Sequence, residues 1–129
     1  MDARARLILL AEDDRFLRKA ADTALRRHGF SVVTATNGEE ALEALRTMKP
    51  DLILLDLIMP KVQGFEVLRS VKENPATAHI PVIVLSNLGQ EGDVKRAMES
   101  GAAAYFVKAN LTLEDMVTQV ESVLAAHPA

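Results

Sequence analysis

Cysteine is absent from the 129-residue sequence, and no apolar run approaches the length of a membrane span. Without cysteine the chain cannot form a disulfide bond, a thiol nucleophile or a cysteine zinc site. A spanning helix needs roughly 20 apolar residues, whereas the apolar run at 7–11 gives way to acidic residues at position 12. We therefore expect a cytoplasmic protein with no secretory signal and no membrane partner.

An excess of positive charge is also absent, because the formal net charge is -3. No basic arm or run offsets that balance, so we expect no nucleic acid as a partner. The length suits one ordinary domain, and the 49% hydrophobic content is typical of a globular protein. We expect a single domain over residues 1–129 with no output domain.

Five short apolar runs alternate with segments of helical periodicity. The runs are predicted to be strands, and the intervening segments repeat apolar residues at helical spacing, which predicts five helices. Gly29 and Gly101 are expected to end the first and fourth helices. The predicted strands are 7–11, 30–35, 52–57, 81–86 and 104–107.

This alternation, with apolar inner strands, favours an α/β fold in which helices cover both faces of a parallel sheet. Ligands bind such sheets at the carboxyl ends of the strands. Several polar residues are expected at that edge. They are Glu12, Asp13 and Asp14 after the first strand, Asp56 in the third, Ser86 and Asn87 at the end of the fourth, and Lys108 after the fifth.

Each of these residues alone has an ordinary structural explanation. Asp14 is expected to cap a helix, Asp56 can begin a polar loop, and Lys108 can be a solvated lysine. Together they bring carboxylates, a hydroxyl and an ammonium to one edge. Because clustered carboxylates repel one another unless a cation lies between them, the set predicts a Mg²⁺ site where Asp56 acts as a nucleophile and forms an acyl phosphate.

The motifs at this edge resemble those of the receiver domains of bacterial two-component response regulators. The matching segments are ILLAEDD, LILLDLIMPKVQGFEVL, IPVIVLS and GAAAYFVK, and the resemblance covers the whole chain. Ser86 lies 30 residues after Asp56, and Lys108 lies 52 residues after it, as in that family. The resemblance implies a flavodoxin-like, doubly wound sheet of five parallel strands in the order 2-1-3-4-5, with five helices.

The resemblance also implies a role for each acid. Asp56 is expected to be the phosphoacceptor and, with Asp13, a direct Mg²⁺ ligand. Glu12 is expected to act on the cation mainly through water. The backbone carbonyl of Ile58 is the third protein ligand that the resemblance implies.

Further roles follow from the same resemblance. Lys108 is expected to neutralise phosphoryl oxygens. Ser86 and Tyr105 are expected to form a switch pair that responds to phosphorylation. Gly64 matches the glycine of the loop after the third strand. Asn87 departs from the family, which usually has a small residue at this position.

A second departure is the dipeptide Lys108-Ala109, which stands where the family usually has Lys-Pro. A cis bond before a residue other than proline costs about 2.5 to 4 kcal/mol. We therefore predict a trans bond here, with Asn110 or Thr112 capping the last helix and Lys108 still reaching the acids.

These expectations describe a phosphoacceptor switch rather than an enzyme. A histidine kinase or histidine phosphotransfer protein is expected to be the phosphodonor. An unknown output protein is expected to read the change on the face formed by the fourth helix, fifth strand and fifth helix. The main alternative is a non-phosphorylated receiver-like module for protein interaction. An enzyme of the haloacid dehalogenase type needs an aspartate where Ile58 stands, and a flavodoxin-like binder needs a phosphate-cradling loop instead of acids.

Overall fold

The computed structural model describes residues 6–57, 63–87 and 91–127, and within them five strands alternate with five helices. The strands are β1 Leu7–Ala11, β2 Ser31–Ala35, β3 Leu52–Leu55, β4 Val82–Ser86 and β5 Ala104–Val107. The helices are α1 Arg15–Arg27, α2 Gly38–Thr47, α3 Gly64–Glu73, α4 Glu91–Glu99 and α5 Leu113–Ala126, with a short 3-10 helix at Lys108–Asn110. All five predicted strands are confirmed.

The strands form one parallel sheet in the order β2-β1-β3-β4-β5, which confirms the predicted fold. β1 and β3 are neighbours near the centre of the sheet. Ala11 pairs with Ala35 of β2 on one side and with Leu55 of β3 on the other. The carboxyl ends of β1 and β3 are therefore level, and residues that follow them emerge side by side.

Apolar residues pack on both faces of the sheet, as the continuous apolar runs indicate. Leu9 and Ile53 point to the face that also buries residues of α2, α3 and α4. Ile8 and Leu54 point to the face covered by α1 and α5. The alternation along each strand divides the core into two layers, and it leaves the strand ends to carry the polar groups.

Helix ends follow the chemistry that the sequence predicts. Asp14 caps α1, because its Oδ1 accepts from the N–H groups of Phe16 and Leu17 at 2.9 and 3.1 Å. After α1, Gly29 adopts a φ of 91°, in the left-handed region that favours glycine. Thr112 caps α5 in a capping box with Asp115. Within the described ranges, no helix has the length and apolarity that crossing a bilayer requires.

Candidate functional site

The turn between β1 and α1 carries three consecutive acids, Glu12, Asp13 and Asp14. The N–H of Glu12 donates to the carbonyl of Ala35 at 3.0 Å, so its side chain stays at the sheet and is buried. Asp14 caps α1, while the side chain of Asp13 is exposed. Only Glu12 and Asp13 therefore remain available to a site at the strand ends.

Asp56 is the first residue after β3 and is only 5% exposed. Its N–H donates to the carbonyl of Ala11 at 3.0 Å, which ties it to the end of β1. The strand was expected to run to residue 57, but it ends at Leu55 because the chain leaves the sheet here. The neighbouring strands bring Asp56 to Glu12 and Asp13, with one carboxylate oxygen of each within 4.8 Å of the others.

Lys108 connects two of these acids. Its Nζ lies 2.5 Å from Oε1 of Glu12 and 2.9 Å from Oδ2 of Asp56. The Lys108 side chain is 13% exposed, so the contact is largely shielded from solvent. Low exposure strengthens the attraction because water no longer screens it.

The backbone at Lys108-Ala109 agrees with the predicted trans geometry, since the described residues contain no cis peptide bond. The next residues form the short 3-10 helix, and Thr112 rather than Asn110 caps α5. Lys108 therefore reaches both acids without the proline that the family usually has at this point.

Burial and charge shift the pKa values of the ion pair. Burial raises the pKa of Glu12 from 4.5 to about 7, although hydrogen bonds from Lys108 and from the N–H of Asp14 oppose the rise. Burial alone would lower the pKa of Lys108, but its hydrogen bonds to Glu12 and Asp56 outweigh burial and raise that pKa. The lysine therefore stays charged, and the site keeps a permanent cation beside its acids.

These groups line a cleft of about 240 Å³, which is larger than a single water molecule requires. The lining residues are Glu12, Asp13, Asp14, Asp56, Asn87 and Lys108. The cleft therefore has room for a small ligand beside the acids. Of the three clustered acids, Asp13 is exposed to solvent, whereas Glu12 and Asp56 are buried.

Ser86 and Tyr105, the predicted switch pair, lie on neighbouring strands. Ser86 ends β4 and is fully buried, and Tyr105 on β5 is half-buried. Burial and the negative charge of Asp93 raise the pKa of Tyr105, whereas a hydrogen bond with Ser86 opposes that rise. A hydrogen bond therefore links the two side chains of the predicted switch pair.

Gly64 begins α3 against the backbone of Asp56 and Leu57. A Cβ at this position would collide with the carbonyl oxygen of Asp56 and the Cα of Leu57. The N–H of Gly64 donates to the carbonyl of Leu57 at 3.0 Å. Glycine is required here because the helix start packs directly on the backbone that presents Asp56.

One predicted ligand lies outside the described residues. This ligand is the carbonyl of Ile58, expected to be the third metal ligand, which belongs to residues 58–62. The predicted switch pair, Ser86 and Tyr105, lies on the neighbouring strands β4 and β5.

Sequence reasoning missed two contacts of the acidic turn. It did not anticipate the ion pair between Lys108 and Glu12, because spacing along the chain identifies the edge but not the partner. It also did not anticipate that the half-buried side chain of Arg18 donates to the carbonyls of Glu12 and Asp13. A positively charged residue one helical turn after three acids was the available signal.

Comparison with known proteins supports a single family. Residues 8–121 match the response regulator receiver domain. The chain is 41% identical over 120 residues to the gliding motility regulatory protein of Myxococcus xanthus, covering 92% of this chain and 15% of that protein. It is 43% identical over 101 residues to the transcriptional regulatory protein AfsQ1 of Streptomyces coelicolor, covering 78% of this chain and 44% of that one. The chain thus spans less than half the length of these relatives.

Solved structures of response regulators resemble this chain in both fold and sequence. The phosphorylated cyanobacterial phytochrome response regulator RcpA superposes with a TM-score of 0.82 and 32% identity, covering 96% of this chain and 94% of that one. The Mn²⁺-bound form of response regulator Rcp1 gives a TM-score of 0.79 and 30% identity, covering 93% and 92%. The chain therefore belongs to the response regulator receiver domain family.

The residues present fit the divalent metal that receiver domains bind at an acidic pocket. Glu12, Asp13 and Asp56 offer carboxylate oxygens, which are hard ligands suited to hard cations. Because AfsQ1 is a transcriptional regulatory protein, the expected exclusion of nucleic acid gains no support from the comparisons and stays a prediction. The expected absence of an output domain also stays a prediction, since the relatives are longer than this chain.

Proposed function

We propose that this receiver domain is a phosphoacceptor switch, with Asp56 as the acceptor. The observation that carries the proposal is the buried carboxylate of Asp56, which Lys108 contacts at 2.9 Å beside two further acids. A buried carboxylate in an otherwise apolar strand end is costly unless it has such partners. Its position at the carboxyl edge of the sheet is where ligands of this fold bind.

The proposed reaction is one phosphoryl transfer. An oxygen of Asp56 attacks the phosphorus of a donor, a bond from that oxygen to phosphorus forms, and the bond from phosphorus to the donor atom breaks. With a phosphohistidine donor, the departing imidazole nitrogen keeps the electron pair and takes up a proton. The product is an acyl phosphate on Asp56, and the donor is a histidine kinase or a histidine phosphotransfer protein.

Charge neutralisation is the main contribution of the surrounding residues. Asp13, Asp56 and Glu12 are proposed to hold Mg²⁺, Glu12 mainly through water. The bound cation supplies Lewis-acid stabilisation of the phosphoryl oxygens. Lys108 is held beside Asp56 before transfer, so its ammonium needs little movement to pair with the phosphoryl oxygens afterwards.

The proposed signal passes through Ser86 and Tyr105. The Ser86 hydroxyl is a donor for a phosphoryl oxygen on Asp56, and taking that role changes its hydrogen bond with Tyr105. The half-buried ring then has a different environment, and the face formed by α4, β5 and α5 presents the change to an output partner.

The experiment is intact-mass analysis after treatment with acetyl phosphate and Mg²⁺. Wild type is expected to gain the mass of one phosphoryl group, and chelation of Mg²⁺ is expected to suppress that gain. Asp56→Asn is expected to gain nothing. Asp51→Asn is the matched control, because Asp51 precedes the same strand at its other end and binds the N–H of Leu7 there.

A different result supports the alternative function. If folded wild type gains no phosphoryl group with Mg²⁺ present, or if Asp56→Asn gains the same adduct, Asp56 is not the acceptor. In the first case the domain is a non-phosphorylated module for protein interaction, and in the second case another residue is the acceptor.

A further inference from the structure

Arg18 lies on α1 behind the acidic turn and binds the backbone of that turn. Its Nη1 donates to the carbonyl oxygens of Glu12 at 2.9 Å and Asp13 at 3.3 Å. Its own N–H donates to the carbonyl of Asp14 at 2.8 Å. One residue therefore binds three consecutive carbonyls of the turn that supplies two of the three clustered acids.

The other side of the turn is held separately. The N–H of Glu12 donates to the carbonyl of Ala35, and the N–H of Asp14 donates to Oε2 of Glu12 at 3.1 Å. With donors and acceptors of the turn both engaged, its backbone has little freedom to rotate. The direction in which each acidic side chain leaves the backbone is fixed accordingly.

Asp13 depends most on this arrangement. Its side chain is exposed, and in the part of the chain that the structure describes its carboxylate forms no hydrogen bond or ion pair of its own. Only its backbone orients the carboxylate toward Glu12 and Asp56. The contact from Arg18 to the carbonyl of Asp13 is therefore the contact that sets this orientation from behind.

The guanidinium of Arg18 contacts carbonyl oxygens and not a carboxylate within the described ranges. Among residues 6–57, 63–87 and 91–127, Arg18 has no carboxylate within ion-pair distance, whereas Arg26 on the same helix pairs with Asp22 at 2.6 Å. The guanidinium of Arg18 thus donates to carbonyl oxygens, and its positive charge lies on the helix side of the turn, behind acids that repel one another. Both contacts come from the single nitrogen Nη1, which bridges the two carbonyl oxygens.

We propose that Arg18 is a positioning residue for the divalent cation. By holding the carbonyls of Glu12 and Asp13, it aims both carboxylates at the space that they share with Asp56. The inference rests on the proposed function, because that function needs the cation at this place. Groups that orient metal ligands from behind contribute substantially to affinity, and losing one weakens metal binding roughly 10- to 100-fold.

The test is calorimetric titration of the folded variants with Mg²⁺ alone. Arg18→Met keeps the apolar stem and removes the donors and the charge, and we expect its Kd for Mg²⁺ to rise roughly 10-fold. Arg27→Met is the matched control, since it removes the same charge from the end of the same helix, about 14 Å away along the axis. Its Kd should change by no more than about twofold because solvent screens charges at that distance.

The conservative variant separates position from charge. Arg18→Lys keeps the charge but offers a single flexible donor group, so we expect a smaller but measurable loss of affinity. Because a positive charge by itself repels Mg²⁺, the charge of Arg18 cannot explain a loss of affinity in Arg18→Met, and a Kd for Arg18→Met at or below the wild-type value would overturn the positioning role. Should Arg18→Met fail to fold, Arg18→Lys carries the same test.

A merely structural role predicts a different pattern. Arg18→Met would then melt at a lower temperature but bind Mg²⁺ as wild type does, and that result would overturn the inference. With positioning, phosphoryl labelling by acetyl phosphate falls at low Mg²⁺ and returns near the wild-type rate at saturation. Wild type that binds Mg²⁺ but accepts no phosphoryl group refutes the proposed function alone, whereas wild type that binds no Mg²⁺ refutes both.

Discussion

Two half-buried lysines at opposite ends of the sheet have opposite electrostatic surroundings. Lys108 follows the carboxyl end of β5, where it pairs with Glu12 and Asp56. Those partners raise its pKa although burial opposes the rise. The charge of this lysine is therefore matched by charges of the opposite sign.

Lys72, near the end of α3, has only neutral partners in the described residues. Its Nζ donates to the carbonyl oxygens of Ala78 at 3.1 Å and Ile80 at 2.7 Å, just before β4 begins. Burial lowers the pKa of this lysine. Its ammonium fixes the loop that leads into β4, and no acid cluster lies beside it.

The comparison shows that burial of a cation does not identify a functional site. Lys72 and Lys108 are the same residue type, and both are half-buried. Their partners differ, because the carbonyl dipoles around Lys72 hold a loop in place, while the clustered carboxylates around Lys108 can bind an incoming cation. The partners of a buried charge therefore say more about its role than its exposure does.

The largest expected effect comes from removing the charge of Lys108. Lys108→Met should slow phosphoryl labelling of Asp56 on the order of 100-fold, because the phosphoryl oxygens lose their positive partner. The same variant should bind Mg²⁺ more tightly, since the remaining acids repel one another without a cation. Labelling rates and calorimetric titration measure the two effects, and Lys72→Met is the control that should change neither. Equal labelling rates for wild type and Lys108→Met would contradict the claim that Lys108, unlike Lys72, assists phosphoryl transfer.

The second prediction concerns two glycines, Gly64 against the backbone of Asp56 and Gly101 against the side chain of Lys72. Gly64→Ala should destabilise the fold by about 3 kcal/mol and slow labelling, because the new Cβ meets the backbone that presents Asp56. Gly101 has a φ of 104°, and its Cβ would lie 3.0 Å from Cγ of Lys72. Gly101→Ala should therefore cost about 1 to 2 kcal/mol and leave labelling of the folded protein unchanged. Urea unfolding measures the cost in stability, and phosphoryl labelling measures the effect on Asp56. Slower labelling by folded Gly101→Ala would contradict the claim that the surroundings of Lys72 do not affect the site at Asp56.

Lys72→Met is expected to reduce the free energy of unfolding by about 1 to 3 kcal/mol, because two backbone carbonyls lose a charged donor. The suitable control is Lys49→Met, since exposed Lys49 donates to the single carbonyl of Leu45 at 2.8 Å. That control should cost about 0.5 kcal/mol or less. Chemical denaturation gives both values. If the two variants cost the same, the carbonyl contacts of Lys72 are not what stabilises this loop.

The smallest effect is expected for Arg96, a cation whose partner is an aromatic ring. Its guanidinium lies 3.8 Å from the ring centroid of Phe65, which joins α4 to α3. Arg96→Gln should cost about 0.5 to 1 kcal/mol, as exposed cation–π pairs do. Lys95→Gln removes a neighbouring exposed charge and should be nearly neutral. A thermal melt that ranks these two variants in the reverse order would argue against the ring contact.

Much of the fold was predictable because its signals are local. Asp14 as a cap, the strand at 7–11 and the helix end at Gly29 each follow from a few neighbouring residues. The shared edge of the acids and Lys108 also follows, since parallel strands place their carboxyl ends together. The end of the third strand was predicted two residues too late, because the apolar run continues past Leu55 while the sheet does not.

The sequence by itself determined the order of elements, the residue types at the carboxyl edge and the trans bond after Lys108. Only the tertiary structure decided that Lys108 pairs with Glu12 as well as Asp56, and that burial raises the pKa of Glu12 to about 7. It also decided that Arg18 holds the acidic turn from behind. The physical reason is that hydrogen bonding and desolvation depend on distances of a few Å between groups far apart in the chain, and periodicity along the chain carries no such distances.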